Sequence, residues 1–319
     1  MIKRLLQQWP DLNITIEQIS TKGDHNTDVP LTQLGGDGIF VTEIERALCD
    51  RRIDLAVHSL KDLPTTQAGG LCIIVTGPRE DVRDVIVWRD SVWQEMRREG
   101  DGSGQDHYPG SLFSTNLRLG TCSLRRMAQL RALRPGVEIL PLRGNVDTRL
   151  RKLDAGDYDG IVLAAAGLHR LGIQECLASR LSYLPVEVMM PAPGQGTLAL
   201  EMRDEPEIQA LVAPVQDLPA QAATSAERAF MRRLGAGCYL PVAAYGEITG
   251  EMLTLRGLVI SLDGQVQVRV SQSMSWTHGT AIELAEQLGV KLAEQALQQG
   301  AAGIINTMDI RRTREQKHV

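Results

Sequence analysis

Apolar and polar positions recur with two periods along this 319-residue chain, and the changes of period mark out its elements. Residues 12–19 alternate with a period of two, as a half-buried strand does, and a polar loop follows at Ser20 to Asp24. Beyond Gly35-Gly36-Asp37-Gly38, the residues Phe40, Ile44, Ala47 and Leu48 fall at helical spacing, which predicts a helix over 39–51. Residues 53–57 read as a buried strand running straight into His58-Ser59-Leu60-Lys61-Asp62-Leu63-Pro64, and further strands are predicted at 71–75 and 84–88. Between those two strands, Arg79 to Asp84 is a charge cluster of the kind that forms structural ion pairs. The stretch 91–114 is polar and Gly-rich and reads as a surface excursion.

The middle of the chain repeats a strand-to-helix theme. A strand end at 117–121 leads to Ser123, a helix N-cap, and a strand at 137–142 leads to Asn145, a second N-cap, with Gly156 placed to close that helix. An apolar strand is predicted at 160–166. Pro191-Ala192-Pro193-Gly194-Gln195-Gly196 then breaks the pattern, as a chain crossing back to its first domain would, ahead of a strand at 198–202. A helix over 220–234, strands at 242–248, 253–259 and 266–271, and a helix over 280–299 make a separate α+β unit.

Charge changes the picture in one place. The whole chain carries −5, yet Arg118 to Arg170 holds nine Arg and one Lys against five acidic residues, about +5. A basic island in an acidic protein points to local anion binding rather than general affinity for polyanions, so a nucleic-acid role ranks low. Guanidinium forks suit carboxylate or phosphate oxygens, and strand-to-helix turns in open α/β sheets are where anionic ligands bind. Lys61 and Asp62 fall just past a strand's C-terminal end, where such sheets place chemistry. His58 reads as a packed, hydrogen-bonded residue.

Five cysteines (Cys49, Cys72, Cys122, Cys176, Cys238) are odd in number and contain no C-x-x-C pair, which argues against a disulfide framework and against zinc. They are expected to be small buried hydrophobes, except Cys238, whose Gly-flanked loop after a helix leaves its sulfur reachable. No metal site is expected. The GGDG loop lacks a GKS/T ending, which excludes a P-loop. No apolar run reaches the roughly 18 residues of a membrane span, and the N-terminus has no signal-peptide core, so a cytoplasmic protein is expected.

Five motifs occur together and in order: His58 to Pro64; Gly120-Thr121-Cys122-Ser123-Leu124-Arg125-Arg126; Arg143-Gly144-Asn145-Val146-Asp147-Thr148-Arg149; Pro193-Gly194-Gln195-Gly196; and Gly237-Cys238. Over nearly its whole length the chain resembles the porphobilinogen deaminase (hydroxymethylbilane synthase) family. The resemblance implies an α/β fold with two doubly wound, periplasmic-binding-protein-like domains and a smaller C-terminal α+β domain. The domains are expected at 1–90 with 192–216, at 110–191 and at 217–319.

It also implies a transferase that joins four porphobilinogen molecules head to tail with loss of ammonia. The growing chain is carried on a dipyrromethane cofactor bound through a thioether to Cys238. Asp62 matches the catalytic carboxylate. Lys61, Thr121, Ser123, Arg125, Arg126, Arg143, Gly144 and Asn145 match cofactor-binding positions, and Arg149 and Arg170 match substrate-binding ones. The implied context is tetrapyrrole biosynthesis by a monomer that hands its product to uroporphyrinogen-III synthase. The family's opening strand and R-x-S-x-L-A loop, which lend an Arg and a Ser to the cofactor site, have no counterpart here. Met1 aligns inside the first helix, and a start assigned too late is expected. Ala236 stands where a second glycine is common, and Cys122 where a serine is common. The alternatives are a non-catalytic polycarboxylate-binding module, which leaves Asp62 and Cys238 without a role, and an impaired, truncated paralogue on the same fold.

Overall fold

A computed structural model describes residues 1–19, 41–99, 117–235 and 240–308. The GGDG loop, most of the 91–114 excursion, Ala236 and Cys238 lie outside these residues.

The described chain forms three sheets. The first has the order β1 (Leu55–Ser59), β8 (Leu198–Arg203), β2 (Leu71–Thr76), with β8 antiparallel to both neighbours. The helix Ile2–Gln8 covers one face through Leu5 against Leu200 and Met202, and the helix Thr42–Cys49 covers the other through Leu48 against Ala56 and Leu71. The second sheet has five strands in the order β5 (Glu138–Leu140), β4 (Arg118–Gly120), β6 (Gly160–Ala164), β3 (Asp84–Trp88), β7 (Leu181–Leu184). Its β4, β5 and β6 are parallel, whereas β3 runs antiparallel to β6 and β7. Along β3, Val85 and Val87 enter the core on one face while Ile86 and Trp88 enter that on the other. This two-sided burial is why the strand is a continuous apolar run.

One expectation changes here. The first domain was placed at 1–90, but β3 belongs to the second sheet. Each α/β domain therefore receives one antiparallel strand immediately after a crossover: β3 after residues 77–83 and β8 after residues 191–197. A fully buried strand has the same apolar signature in either sheet, so periodicity does not say which one it joins.

The third sheet is a meander, β11 (Gln267–Ser275), β10 (Met252–Ile260), β9 (Val242–Thr249). The helices Leu218–Arg233 and Ile282–Ala296 pack against it around Phe230, Leu255 and Leu292. The α+β expectation for this unit holds.

Four local expectations are corrected. Residues 12–19 form no strand; Leu12 and Ile14 pack on the first domain's core while Ile16 is exposed. The strand predicted over 160–166 ends at Ala164, and helix Ala165–Leu171 begins there. The supposed surface excursion opens with a helix, Asp90–Glu99, and β7 was not anticipated at all. Cys49 and Cys176 are exposed rather than buried, and Cys72 and Cys122 are half-buried.

Gly196 ties the second crossover to the first. Its carbonyl accepts the Glu80 N–H (2.9 Å) and Arg170 Nη2 (2.7 Å). Its φ is +84°, and a Cβ there would collide with the Glu80 carbonyl. Left-handed backbone alone disfavours alanine by about 1 to 2 kcal/mol, and the collision adds to it. Gly196→Ala is expected to lower stability by about 2 kcal/mol or more in urea titration; an unchanged midpoint would show that the crossover relaxes around the methyl group.

Candidate active site

The site assembles from three turns. The first follows β1, where residues Leu60–Asp62 form a single 3-10 turn with Leu60 and Leu63 buried and Asp62 exposed. The second follows β4. Thr121 Oγ1 accepts the Ser123 N–H (3.2 Å), and Ser123 Oγ caps the helix Leu124–Leu133 by accepting the Arg126 N–H at 3.5 Å. The third follows β5, where Asn145 Oδ1 accepts the Thr148 N–H (2.9 Å) and caps the helix Val146–Asp154. Gly144 precedes that cap at φ +112°, with any Cβ only 2.8 Å from Thr148 Cγ2, so the turn requires glycine. Both predicted N-caps are present.

Charges from these turns share one neighbourhood. Burial is the largest influence on Lys61 and lowers its pKa; Asp62 pulls it back up, and Arg126 pushes it down again. Burial likewise lowers the pKa of half-buried Arg149, as do Arg126 and Arg143, against the opposite pull of Cys122 and Asp62. Arg149 Nε donates to the Gly144 carbonyl at 2.7 Å. Lys61 and Arg149, on turns of the two different α/β domains, thus share Asp62 and Arg126 as electrostatic neighbours, and Arg149 adds Cys122 and Arg143.

Arg125 and Arg126 differ from the simple picture of ligand-facing arginines. Both are buried, and both close on Asp84: Arg125 Nη1 to Oδ2 at 2.7 Å, Arg126 Nη2 and Nε to Oδ1 at 2.7 and 3.1 Å. Arg125 Nη1 also donates to the Met190 carbonyl (2.7 Å), and Arg126 Nη1 to that of Val162 (2.9 Å). Burial pushes the Asp84 carboxyl up, but the pull of Arg125 and then Arg126 outweighs it and holds the group far below the usual carboxylate range. Gln195 Nε2 adds a third contact to Asp84 Oδ1 at 3.0 Å.

A second buried hub lies beside the first. Glu227, on the helix Leu218–Arg233, accepts from Arg79 (2.7 and 3.1 Å), Gly194 N (2.6 Å) and Gly246 N (2.7 Å). Gln195 joins the hubs, because its carbonyl accepts Arg79 Nε at 3.0 Å. The expected ion-pair cluster from Arg79 to Asp84 is therefore real, and it links both crossovers to all three sheets. Arg170 belongs to this hinge through Gly196. His58 is packed as expected, Nε2 lying 3.0 Å from Glu201.

Three buried polar atoms along this network, Arg125 Nε, Gln195 Oε1 and Thr197 Oγ1, have no partner among the described residues. Unsatisfied buried donors and acceptors call for a ligand or water. The donor set suits a ligand rich in carboxylates: ammonium, guanidinium and two capped helix starts. Sequence reasoning placed Asp84 in an ion-pair cluster and Gln195 in a motif but missed that Asp84 pairs with Arg125 and Arg126 and accepts from Gln195, and it missed Glu227 altogether. Asp84 carried a further signal, an acid opening an otherwise apolar strand, and Glu227 carried none.

Fold and site together define a protein of two α/β domains with a smaller third domain and a cluster of cationic side chains beside the exposed carboxylate of Asp62. Family models give the particular kin. The one described as "Porphobilinogen deaminase, dipyromethane cofactor binding domain" matches residues 1–210, and "Porphobilinogen deaminase, C-terminal domain" matches 222–298. The chain belongs to the porphobilinogen deaminase family. It is 43% identical to the porphobilinogen deaminase of Syntrophus aciditrophicus over 307 residues, 96% of this chain and 92% of that one. The enzyme of Syntrophotalea carbinolica is 44% identical over 94% of this chain and 88% of its own. A solved structure, the periplasmic VFT2 domain of Bordetella pertussis BvgS, is similar at TM-score 0.36 and 14% identity, over 67% of this chain and 74% of that one.

Proposed function

We propose that this chain is a transferase of tetrapyrrole biosynthesis that joins four porphobilinogen molecules head to tail, releasing ammonia each time, to give hydroxymethylbilane. Family membership supports the reaction. The observation that carries the site assignment is the shared neighbourhood of Lys61, Asp62, Arg126, Arg143 and Arg149. The cofactor is dipyrromethane, held by a thioether to Cys238. When bound, it supplies the pyrrole terminus from which the product is extended.

Each pyrrole carries two carboxylates, so the load on the cleft grows with every addition. Lys61, with the turns at Thr121–Ser123 and Arg143–Asn145, faces the cofactor's carboxylates, and Arg125 and Arg126, closed on Asp84, back that site with buried positive charge. Arg149 and Arg170 hold those of the substrate. Asp62 is an exposed acid beside these cationic groups. It stabilises the positive charge that develops on the pyrrole nitrogen as ammonia departs, and it takes up or returns the proton. Uroporphyrinogen-III synthase is the proposed recipient of the product, and the working form is a monomer in the cytoplasm. No helix among the described residues is long and apolar enough to cross a membrane.

Intact mass spectrometry tests the reading. The purified protein is expected to carry the mass of two added pyrrole units, and Cys238→Ser to lack it. An unmodified wild-type mass with no turnover would leave the polycarboxylate-binding module as the better account.

A further inference from the structure

Asp62 accepts no hydrogen bond from the described residues, so its place depends on the backbone of its own turn. Two supports grip that turn. From the hinge, Thr197 O accepts the Leu60 N–H at 3.0 Å, and Gly194 packs so closely that a Cβ there would lie 2.9 Å from Leu60 Cγ and 3.2 Å from the Lys61 nitrogen.

The second support comes from the third domain. Arg228, next to Glu227 on the helix Leu218–Arg233, donates Nη1 to the carbonyls of Leu63 (3.2 Å) and Leu60 (3.5 Å) and Nη2 to that of Pro64 (2.5 Å). These carbonyls bracket Lys61 and Asp62. Arg232, one turn further on, adds a longer contact to the Thr65 carbonyl at 3.5 Å. Arg228 has no carboxylate within ion-pair distance among the described residues. Burial, and then Arg232, bring its pKa down to about 10, which leaves it charged near neutrality with every donor in place. A desolvated guanidinium whose two terminal nitrogens both go to main-chain carbonyls is costly unless the geometry it fixes is needed.

We infer that Arg228 is a positioning residue for Asp62, holding the catalytic turn in register from the third domain. The inference rests on the reading of Asp62 as the catalytic carboxylate. Arg228 touches neither substrate nor cofactor; it acts through the carbonyls of residues 60, 63 and 64. The third domain then both bears the cofactor loop and sets the carboxylate that serves it.

The test uses the cofactor-loaded enzyme. Arg228→Met keeps the aliphatic bulk and removes the donors. It is expected to lower kcat by on the order of 10- to 100-fold, the scale of a misplacement of about 1 Å, with KM and bound pyrrole mass unchanged. In an Asp62→Asn background the same change is expected to add little, since the two residues act as a unit. Methylguanidinium is expected to restore part of the turnover of Arg228→Ala, and methylammonium at equal concentration to restore less. Wild-type kcat in Arg228→Met overturns the inference. So does a full additional loss in the double variant, or a loss of turnover matched by loss of bound pyrrole. Should Asp62→Asn itself turn over normally, the parent reading of Asp62 fails instead, whatever Arg228→Met does.

Discussion

Replacing Asp62 with Asn is expected to lower turnover by about 10²- to 10⁴-fold, the range for removing a positioned acid–base group, while the protein folds and keeps its bound pyrrole mass. Asp62 is exposed and accepts nothing from the described residues, so no fold contact is lost with its charge. The amide keeps the volume and removes the negative charge to which the proposed mechanism assigns the stabilisation of the developing pyrrole cation. Its electrostatic neighbours, Lys61 and Arg149, stay in place. Single-turnover assay on the loaded enzyme, with mass spectrometry of the bound pyrroles, checks the outcome; near-normal turnover would remove Asp62 from the mechanism. An enzyme with low turnover and no bound pyrrole would point instead to a role in loading the cofactor.

Asp84→Asn is expected to fail by a different route, through stability. Asp84 is fully buried and is the shared counter-ion of Arg125 and Arg126. An amide there leaves two buried guanidinium groups uncompensated, and breaking a buried pair in this way typically loses about 3 to 5 kcal/mol. The pH dependence has a definite sign. The folded-state pKa of Asp84 lies below its unfolded value. Its contribution is therefore complete above the unfolded pKa, near 3.9, and drains away as pH falls from there toward the folded value. Urea midpoints for both proteins between about pH 3 and 7 are expected to draw closer below about pH 4 without meeting, because the folded-state pKa lies well below that range. A gap that stays constant with pH would mean that lost packing, not lost charge, accounts for the difference.

The legible part of the site was its turns. Ser123 and Asn145 cap helices because a short polar side chain precedes each apolar-periodic run, and that signal is local. Lys61 and Asp62 were legible for the same reason, one strand end running into a proline-restrained loop. The partners of Arg125 and Arg126 were not. Asp84 lies 41 residues from Arg125 in sequence, and no local pattern distinguishes an arginine aimed at a ligand from one aimed at a buried acid. The sheet that β3 joins was hidden likewise, since burial on both faces erases the period that assigns a strand to a surface. Arg228 and Glu227 were invisible as a pair. They are adjacent polar residues near the end of a helix, and only the packed domains show one reaching the hinge and the other the catalytic turn.

The trio of Asp84, Arg125 and Arg126 holds two fixed positive charges against one negative. One unit of positive charge is thus sealed beneath the cleft, where mobile counter-ions do not reach it. Salt weakens the pull of exposed groups within a Debye length of about 8 to 10 Å at physiological ionic strength, but it leaves a buried monopole almost untouched. The grip on a lengthening polyanion then has two components, one that fades as electrolyte is added and one that persists. The persistent one sits where Gln195, in the crossover between the two α/β domains, meets Asp84.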